Sequence, residues 1–457
     1  MRWLDDAAEQ AHAKPKGIAD KPHNDLLPRA PHFAPKAKAM ISLFQHGGPS
    51  HVDLTDPKPE LTRLSGSDYT GDVHFSFVNK PVRNCSVVLG SFNRGNCGTE
   101  IFELLPHTAD IADDLCLIRS MHTGANGHEV SIRYFHGGIP GVLGRPTLGS
   151  WLVYALGNES QNLPAYMVLT DPGGLPVDGV ANWSNGFMSA MFQGTVLRPR
   201  EPRILNLQPP THLSGMVQKQ NLALLEKLNA KYMEAHPGEA ELEARIASYE
   251  LAARMQTAAA EALDISKESA STLTMYGIDR DETREYGTRC LIARRLVERG
   301  VRFVQLFHNG QPWDNHSSIR DGLPAICRKT DQPAAALVKD LKQRGMLDST
   351  LVHWGGEIGR LPVTQEHGSP EKAGRDHNGQ GFSIWLAGGG VKPGIAFGKT
   401  DEVGHKAVED IVTPNDFQAT VMHLFGLKFE DLQFSVNGRQ EIITAKRPAK
   451  VVDGILA

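Results

Sequence analysis

Short apolar runs separated by polar, glycine-rich breaks set the rhythm of this chain. Met40–Phe44 (MISLF), Leu115–Ser120 (LCLIRS), Ala165–Leu169 (AYMVL), Val301–Phe307 (VRFVQLF), Thr350–Trp354 and Phe382–Leu386 are runs of this kind. About four to eight consecutive apolar residues bounded by turn formers is the pattern of a strand buried on both faces. Pro146–Leu156, Thr288–Arg299 and Asp331–Arg344 repeat apolar residues near helical spacing, the last with Asp331 as its expected N-cap and proline in its first turn. Thr99–Asp114 also reads as a helix, from Ile101, Leu104, Leu105 and Ile111. Helix, strand and polar loop recur in that order, which predicts an α/β fold, a doubly wound and mostly parallel sheet sandwiched by helices.

Two segments break the rhythm. Residues 1–38 mix Pro, Lys, His and Asp without periodicity and read as a surface arm, leaving residues 39–457 as the α/β domain. Within it, residues about 212–275 turn to Ala, Leu, Glu, Lys and Gln, with a stripe at Leu222, Leu225 and Leu228 and a break at His236-Pro-Gly. This predicts a helical hairpin, an insertion or lid, whose balanced charge suits a solvated outer face. Pro57–Cys97, rich in Gly, Asn and Ser, is expected to wrap one side of the sheet.

Charge and cysteine content narrow the chemistry. Forty-eight Lys and Arg against 52 Asp and Glu give a formal charge of −4, so no field that would hold a nucleic-acid backbone is expected. Five cysteines without a C-x-x-C pair offer neither a metal knuckle nor a complete disulfide set. Met1–Lys16 holds no apolar stretch of the signal-peptide kind and no run approaches a spanning helix, so neither an export signal nor a membrane span is expected. Nineteen histidines are a generous supply of the commonest metal ligand.

The polar breaks carry the candidate chemistry. His46 and Asp53 follow the first run, Thr123 and His128 the second, Asp314 and His316 the fourth, and Glu357, Arg360, Arg375, Asp376 and His377 lie between the last two. Imidazole nitrogen and carboxylate oxygen suit a divalent metal. In an extended segment Asp314 and His316 point the same way, whereas the adjacent Asp376 and His377 need an irregular loop to converge, and Gly374 and Gly379 flank them. Thr123 is a candidate nucleophile or a turn hydroxyl, while Arg360 and Arg375 read as an anion clamp or as salt-bridged loop residues.

The runs GGPSHVDLTDPKP (Gly47–Pro59), RSMHTGANGH (Arg119–His128), LIARRLVERGVRFVQLF (Leu291–Phe307), WDNH (Trp313–His316), LVHWGGEIGRLP (Leu351–Pro362) and GRDHNGQGFSIWLAGGGVKPG (Gly374–Gly394) together resemble the domain of unknown function 1501 family. The family is sulfatase-like, within the alkaline phosphatase superfamily. The resemblance implies hydrolysis of phosphate or sulfate esters with a divalent metal, zinc first and calcium or manganese as alternatives, on a small anionic ester or a sulfated or phosphorylated saccharide. It implies metal ligands at His46 or Asp53, Asp314, His316, Asp376 and His377, with His405 by chain order, while Glu357 reads either as a ligand or as support for Arg360 or a metal-bound histidine. Thr123, His128, Arg360 and Arg375 would then serve the reaction. The alternative is a sulfatase-like fold without catalysis that binds or assembles. No cysteine sits in the sulfatase pattern C/S-x-P-x-R, which favours a hydroxyl or water nucleophile. Members usually carry a twin-arginine export signal, whereas this chain shows none.

Overall fold

A computed structural model describes residues 25–71, 91–205, 207, 212, 215–235, 240–364 and 372–457. The start of the expected arm, much of the Pro57–Cys97 wrap and the His236-Pro-Gly break lie outside them. Eight strands form the central sheet: β1 (Ala39–Phe44), β2 (Leu115–Met121), β3 (Tyr166–Leu169), β4 (Thr195–Leu197), β5 (Phe303–Leu306), β6 (Thr350–Gly355), β7 (Phe382–Ala387) and β8 (Ile395–Phe397). Their spatial order is β8-β2-β7-β6-β1-β5-β3-β4. All neighbours are parallel except β7, which runs antiparallel to both β2 and β6.

Helices cover both faces, which is why the central strands are buried along their length, Ser42, Gln305 and His353 included. On one side α5 (Asp281–Glu298) and α6 (Ile319–Gln343) pack Cys290, Leu291 and Leu337 against Ile41, Leu43 and Val304. On the other, α1 (His128–Gly137), α2 (Leu148–Leu156) and α7 (Pro414–Leu424) pack Phe135, Trp151 and Phe417 against Met40, Phe44 and Leu386. The inward and outward alternation of β1 follows from the pleat. Helices α3 (Met216–Ala235) and α4 (Ala240–Leu263) lie within the segment read as a helical insertion. No helix among the described residues is long and apolar enough to cross a membrane.

Two expectations are corrected. Thr99–Asp114 is not one helix: Glu100–Phe102 is a strand paired with Phe92–Arg94, followed by one turn at Pro106–Ala109 and a 3-10 turn at Ala112–Asp114. Pro106 explains this, because its ring excludes the interior of a helix but suits its first position. Nor does a helix begin at Asp331, since α6 runs through it and through Pro324 and Pro333. Packing of Leu323, Cys327, Leu337 and Leu341 in the core overrides the proline penalty. Asp331 still caps a helix, but another one: it accepts the backbone N–H groups of His107 and Thr108 at 2.8 and 2.9 Å, the first turn of Pro106–Ala109.

Candidate metal centre

The topology explains why chemistry from distant parts of the sequence meets. β1, β2, β5 and β6 deliver their C-terminal ends to one edge of the sheet, so His46, His128, Asp314 and Glu357 all follow a strand onto that edge. The reversed β7 brings its N-terminal end there instead, which places Asp376 and His377 in the same neighbourhood although they precede a strand. Open α/β sheets gather ligands along this carboxyl edge.

Asp314 is the hub. Its Oδ1 lies 2.9 Å from His316 Nε2 and 3.3 Å from His377 Nε2, and those two nitrogens are 3.0 Å apart. Its Oδ2 lies 3.2 Å from His128 Nε2. His128, Asp314 and His377 offer ligand atoms all within 4.8 Å of one another, and so do His316, Asp376 and His377. The Asp376 carboxylate accepts the His377 N–H at 2.8 Å and stands 3.9 Å from His316 Nδ1. The irregular backbone this requires is tightly specified. A Cβ on Gly374 would sit 2.1 Å from the His316 carbonyl oxygen, and one on Gly379 would sit 2.0 Å from the Ala125 carbonyl oxygen.

Buried neighbours orient the ring of His128. Its Nδ1 lies 2.6 Å from Glu357 Oε1, which also accepts the Gly47 N–H at 3.0 Å, so Nδ1 carries the proton and Nε2 is aimed at Asp314. Burial opposes a charge on His128, but its hydrogen bonds to Asp314 and Glu357 outweigh that and lift it to about 9. Burial alone would raise the Asp314 carboxyl; hydrogen bonds from His128, His316 and His377 and the charge of Arg360 instead hold it well below the usual range. His377 is lowered by burial, with Arg360 and His128 adding to the effect and Asp314 opposing it. Glu357 is fully buried, and its Oε2 has no hydrogen-bond partner among the described residues. Only His316 is substantially open, with its side chain 32% exposed, so the cluster faces solvent there.

The other expected site residues are engaged with partners of their own, Arg360 with Asp314 itself. Both oxygens of Asp53 meet Arg375, at 2.7 and 2.9 Å, and Ser50 Oγ donates to Asp53 at 2.6 Å. Arg375 also donates to the Leu361 carbonyl and is fully buried, so this pair fastens the His51–Leu54 turn to the loop before β7. Arg360, equally buried, donates to Asp314 and to the Gly47 and Gly48 carbonyls. The Thr123 hydroxyl donates to the Ala125 and Gly379 carbonyls at 3.1 and 3.4 Å, the turn-hydroxyl arrangement. His405 Nδ1 meets the Tyr69 hydroxyl at 2.6 Å. His46 is buried behind Glu357 with Nε2 3.4 Å from Asn182 Oδ1, and burial brings it down to about 4. Asn182, in a 3-10 turn more than a hundred residues away in sequence, carried no motif to announce it.

The donor set fits a divalent ion. Tetrahedral N/O coordination at about 2.0–2.1 Å sets ligand atoms roughly 3.3 Å apart, and the His316, His377 and Asp314 atoms stand 2.9 to 3.3 Å apart. The Glu357–His128 contact is the carboxylate–imidazole pair that fixes a ligating tautomer.

No curated protein matches the chain. Among solved structures it is similar to the lipoteichoic acid synthase LtaP from Listeria monocytogenes, at 8% identity over 89% of this chain and 76% of that one, with a TM-score of 0.34. It is similar to the PsFucS1 sulfatase from Pseudoalteromonas sp. at 11% identity over 86% and 68%, with a TM-score of 0.36. For the phosphonate monoester hydrolase SpPMH from Silicibacter pomeroyi the values are 9%, 70%, 68% and 0.31. The model of the family described as protein of unknown function (DUF1501) matches residues 37–456, the span that holds the whole sheet and every residue of the cluster, and the chain belongs to that family.

Proposed function

We propose that this protein is a metal-dependent hydrolase of phosphate or sulfate esters. The observation that carries the reading is the convergence of His316, His377 and Asp314 within 3.3 Å, with His128 at the other Asp314 oxygen. His128, Asp314, His316, Asp376 and His377 would hold the ion. Three imidazoles favour zinc or manganese over calcium, which prefers an all-oxygen shell. When bound, such an ion supplies Lewis-acid polarisation of the ester oxygen.

The chain's own residues do the rest. As a ligand His128 gives up its Nε2 proton, so Asp314, Glu357 and Asp376 against Arg360 leave two negative charges that a dication neutralises, removing the repulsion an anionic ester would otherwise meet. Glu357 holds the His128 ring in position. A phosphorylated or sulfated saccharide would approach from the open side at His316. Thr123 as nucleophile would first have to give up its two backbone acceptors, so attack by a water is the simpler route.

One observation favours a second reading, a binding or assembly protein without catalysis: Arg360 already meets Asp314, so the central carboxylate has a cationic partner without an ion. Elemental analysis separates the two. About one equivalent of a transition metal, with turnover of p-nitrophenyl phosphate, bis-p-nitrophenyl phosphate or p-nitrophenyl sulfate that is lost in His377→Ala, supports the hydrolase. Below about 0.2 equivalents after supplementation with zinc and manganese, the hydrolase reading fails.

A further inference from the structure

The helical hairpin carries an apolar face that the rest of the described chain leaves open. At about 100° per residue, Leu224, Val217, Leu228, Tyr232, Leu225 and Leu222 fall in one stripe of α3 roughly 160° wide, with Glu226, Lys227, Lys231 and Glu234 outside it. An amphipathic helix of this kind draws its stability from burying that stripe. Yet these six side chains are 37% to 57% exposed, and no described residue of α3 is buried. Helix α4, by contrast, is anchored through Met255, Ala259 and Ala262 in the core. The two helices are tied at one end by Gln218 Nε2 donating to Gln256 Oε1 at 2.9 Å. Between them lies an open groove of about 820 Å³ lined by Leu222, Leu225, Asn229, Tyr249 and Ala253.

We propose that a second copy of this chain covers the face, each α3 lying in the α3–α4 groove of the other so that two hairpins close into a four-helix bundle. Two features select this occupant. With Tyr249, also largely exposed, the stripe offers roughly 700 Å² of apolar surface at about 200 Å² per large side chain, close to what one side of a stable interface buries. The helices also differ in sign: α3 has three lysines against two glutamates, α4 four glutamates against two arginines, so setting α3 of one copy against α4 of the other pairs opposite charge. Asn221 and Asn229, both inside the stripe, would fix the register as a buried asparagine does in a coiled coil.

Light scattering after size exclusion tests this. At about 100 µM the full chain should run at twice its 49.9 kDa, and Leu224→Glu/Leu228→Glu at the mass of one chain with unchanged far-UV circular dichroism. Both substituted side chains are over half exposed, so neither change disturbs the core. A wild-type monomer at that concentration overturns the proposal, as does a double variant that remains a dimer. Hydrogen exchange gives an independent reading: protection of the α3 amides should rise with protein concentration, and protection independent of concentration would mean that the cover comes from the same chain.

Discussion

The Nε2 atoms of His316 and His377 face each other at 3.0 Å across one oxygen of Asp314. Arg360 donates to the same carboxylate, and a divalent ion would draw the two ring nitrogens and the oxygen onto one centre. The members of the cluster can be removed one at a time.

His316 is the member that can be lost without leaving a buried charge, since a third of its side chain is exposed. His316→Ala should lower zinc affinity by well over tenfold while moving the melting temperature little, read by competition with a chromogenic chelator and by calorimetry. Glu357→Gln should lower affinity by roughly 10–100-fold, the usual effect of losing the group that orients a ligand. Unchanged affinity in both variants would remove these residues from the site.

Asp53 and Arg375 form a buried ion pair rather than a ligand and a clamp. Asp53→Ala leaves the fully buried Arg375 guanidinium without its carboxylate and should destabilise the fold by about 3–5 kcal/mol, with Asp53→Ala/Arg375→Met recovering much of the loss. Urea denaturation measures both. A single variant as stable as wild type would show that the pair does not hold the loop.

Gly374 has no room for a methyl group: its Cβ would lie 2.1 Å from the His316 carbonyl. Gly374→Ala should therefore push the Asp376–His377 loop away from Asp314, costing on the order of 1–3 kcal/mol and most of the metal affinity. Gly345, at φ +66 with open space around its Cβ, is the control, where substitution should lower stability slightly and leave metal binding intact. Equal metal binding in both variants would contradict the close-approach argument.

Stability should fall on mild acidification. Burial holds His353 down to about 3, and His136 and His308 well below the ordinary imidazole value. The unfolded chain protonates these groups near pH 6.5 and the folded chain does not, so their contribution is complete above about 6.5 and is lost as pH drops toward the folded values. Each histidine adds a slope of roughly 1.4 kcal/mol per pH unit below that point. Urea midpoints between pH 7.5 and about 5.5 measure it, and a flat profile would refute the assignment of these rings as buried and neutral.

The chain's apolar runs located the strands because a strand buried on both faces must be apolar along its length, and β1, β2, β3, β5, β6 and β7 all lie where those runs are. Local rules failed where distant packing outweighed them. The core keeps α6 helical through Pro333, and Asp331, a cap by its position in sequence, caps a turn more than two hundred residues earlier. The stripe at Leu222, Leu225 and Leu228 was visible in the sequence, but a balanced charge count says nothing about which side of a helix is covered.

For the site, sequence alone supplied the residue types and their habit of following strands, since every member of the cluster sits in a polar break beside an apolar run. It did not distinguish ligand from support. That distinction depends on β7 running against its neighbours, which carries Asp376 and His377 to the edge where the parallel strands end. It also depends on Asp53 and Arg375 finding each other across more than three hundred residues, which withdraws both from the centre. Pair geometry of that kind is set by the summed packing of the sheet and its helices, and no local pattern encodes it.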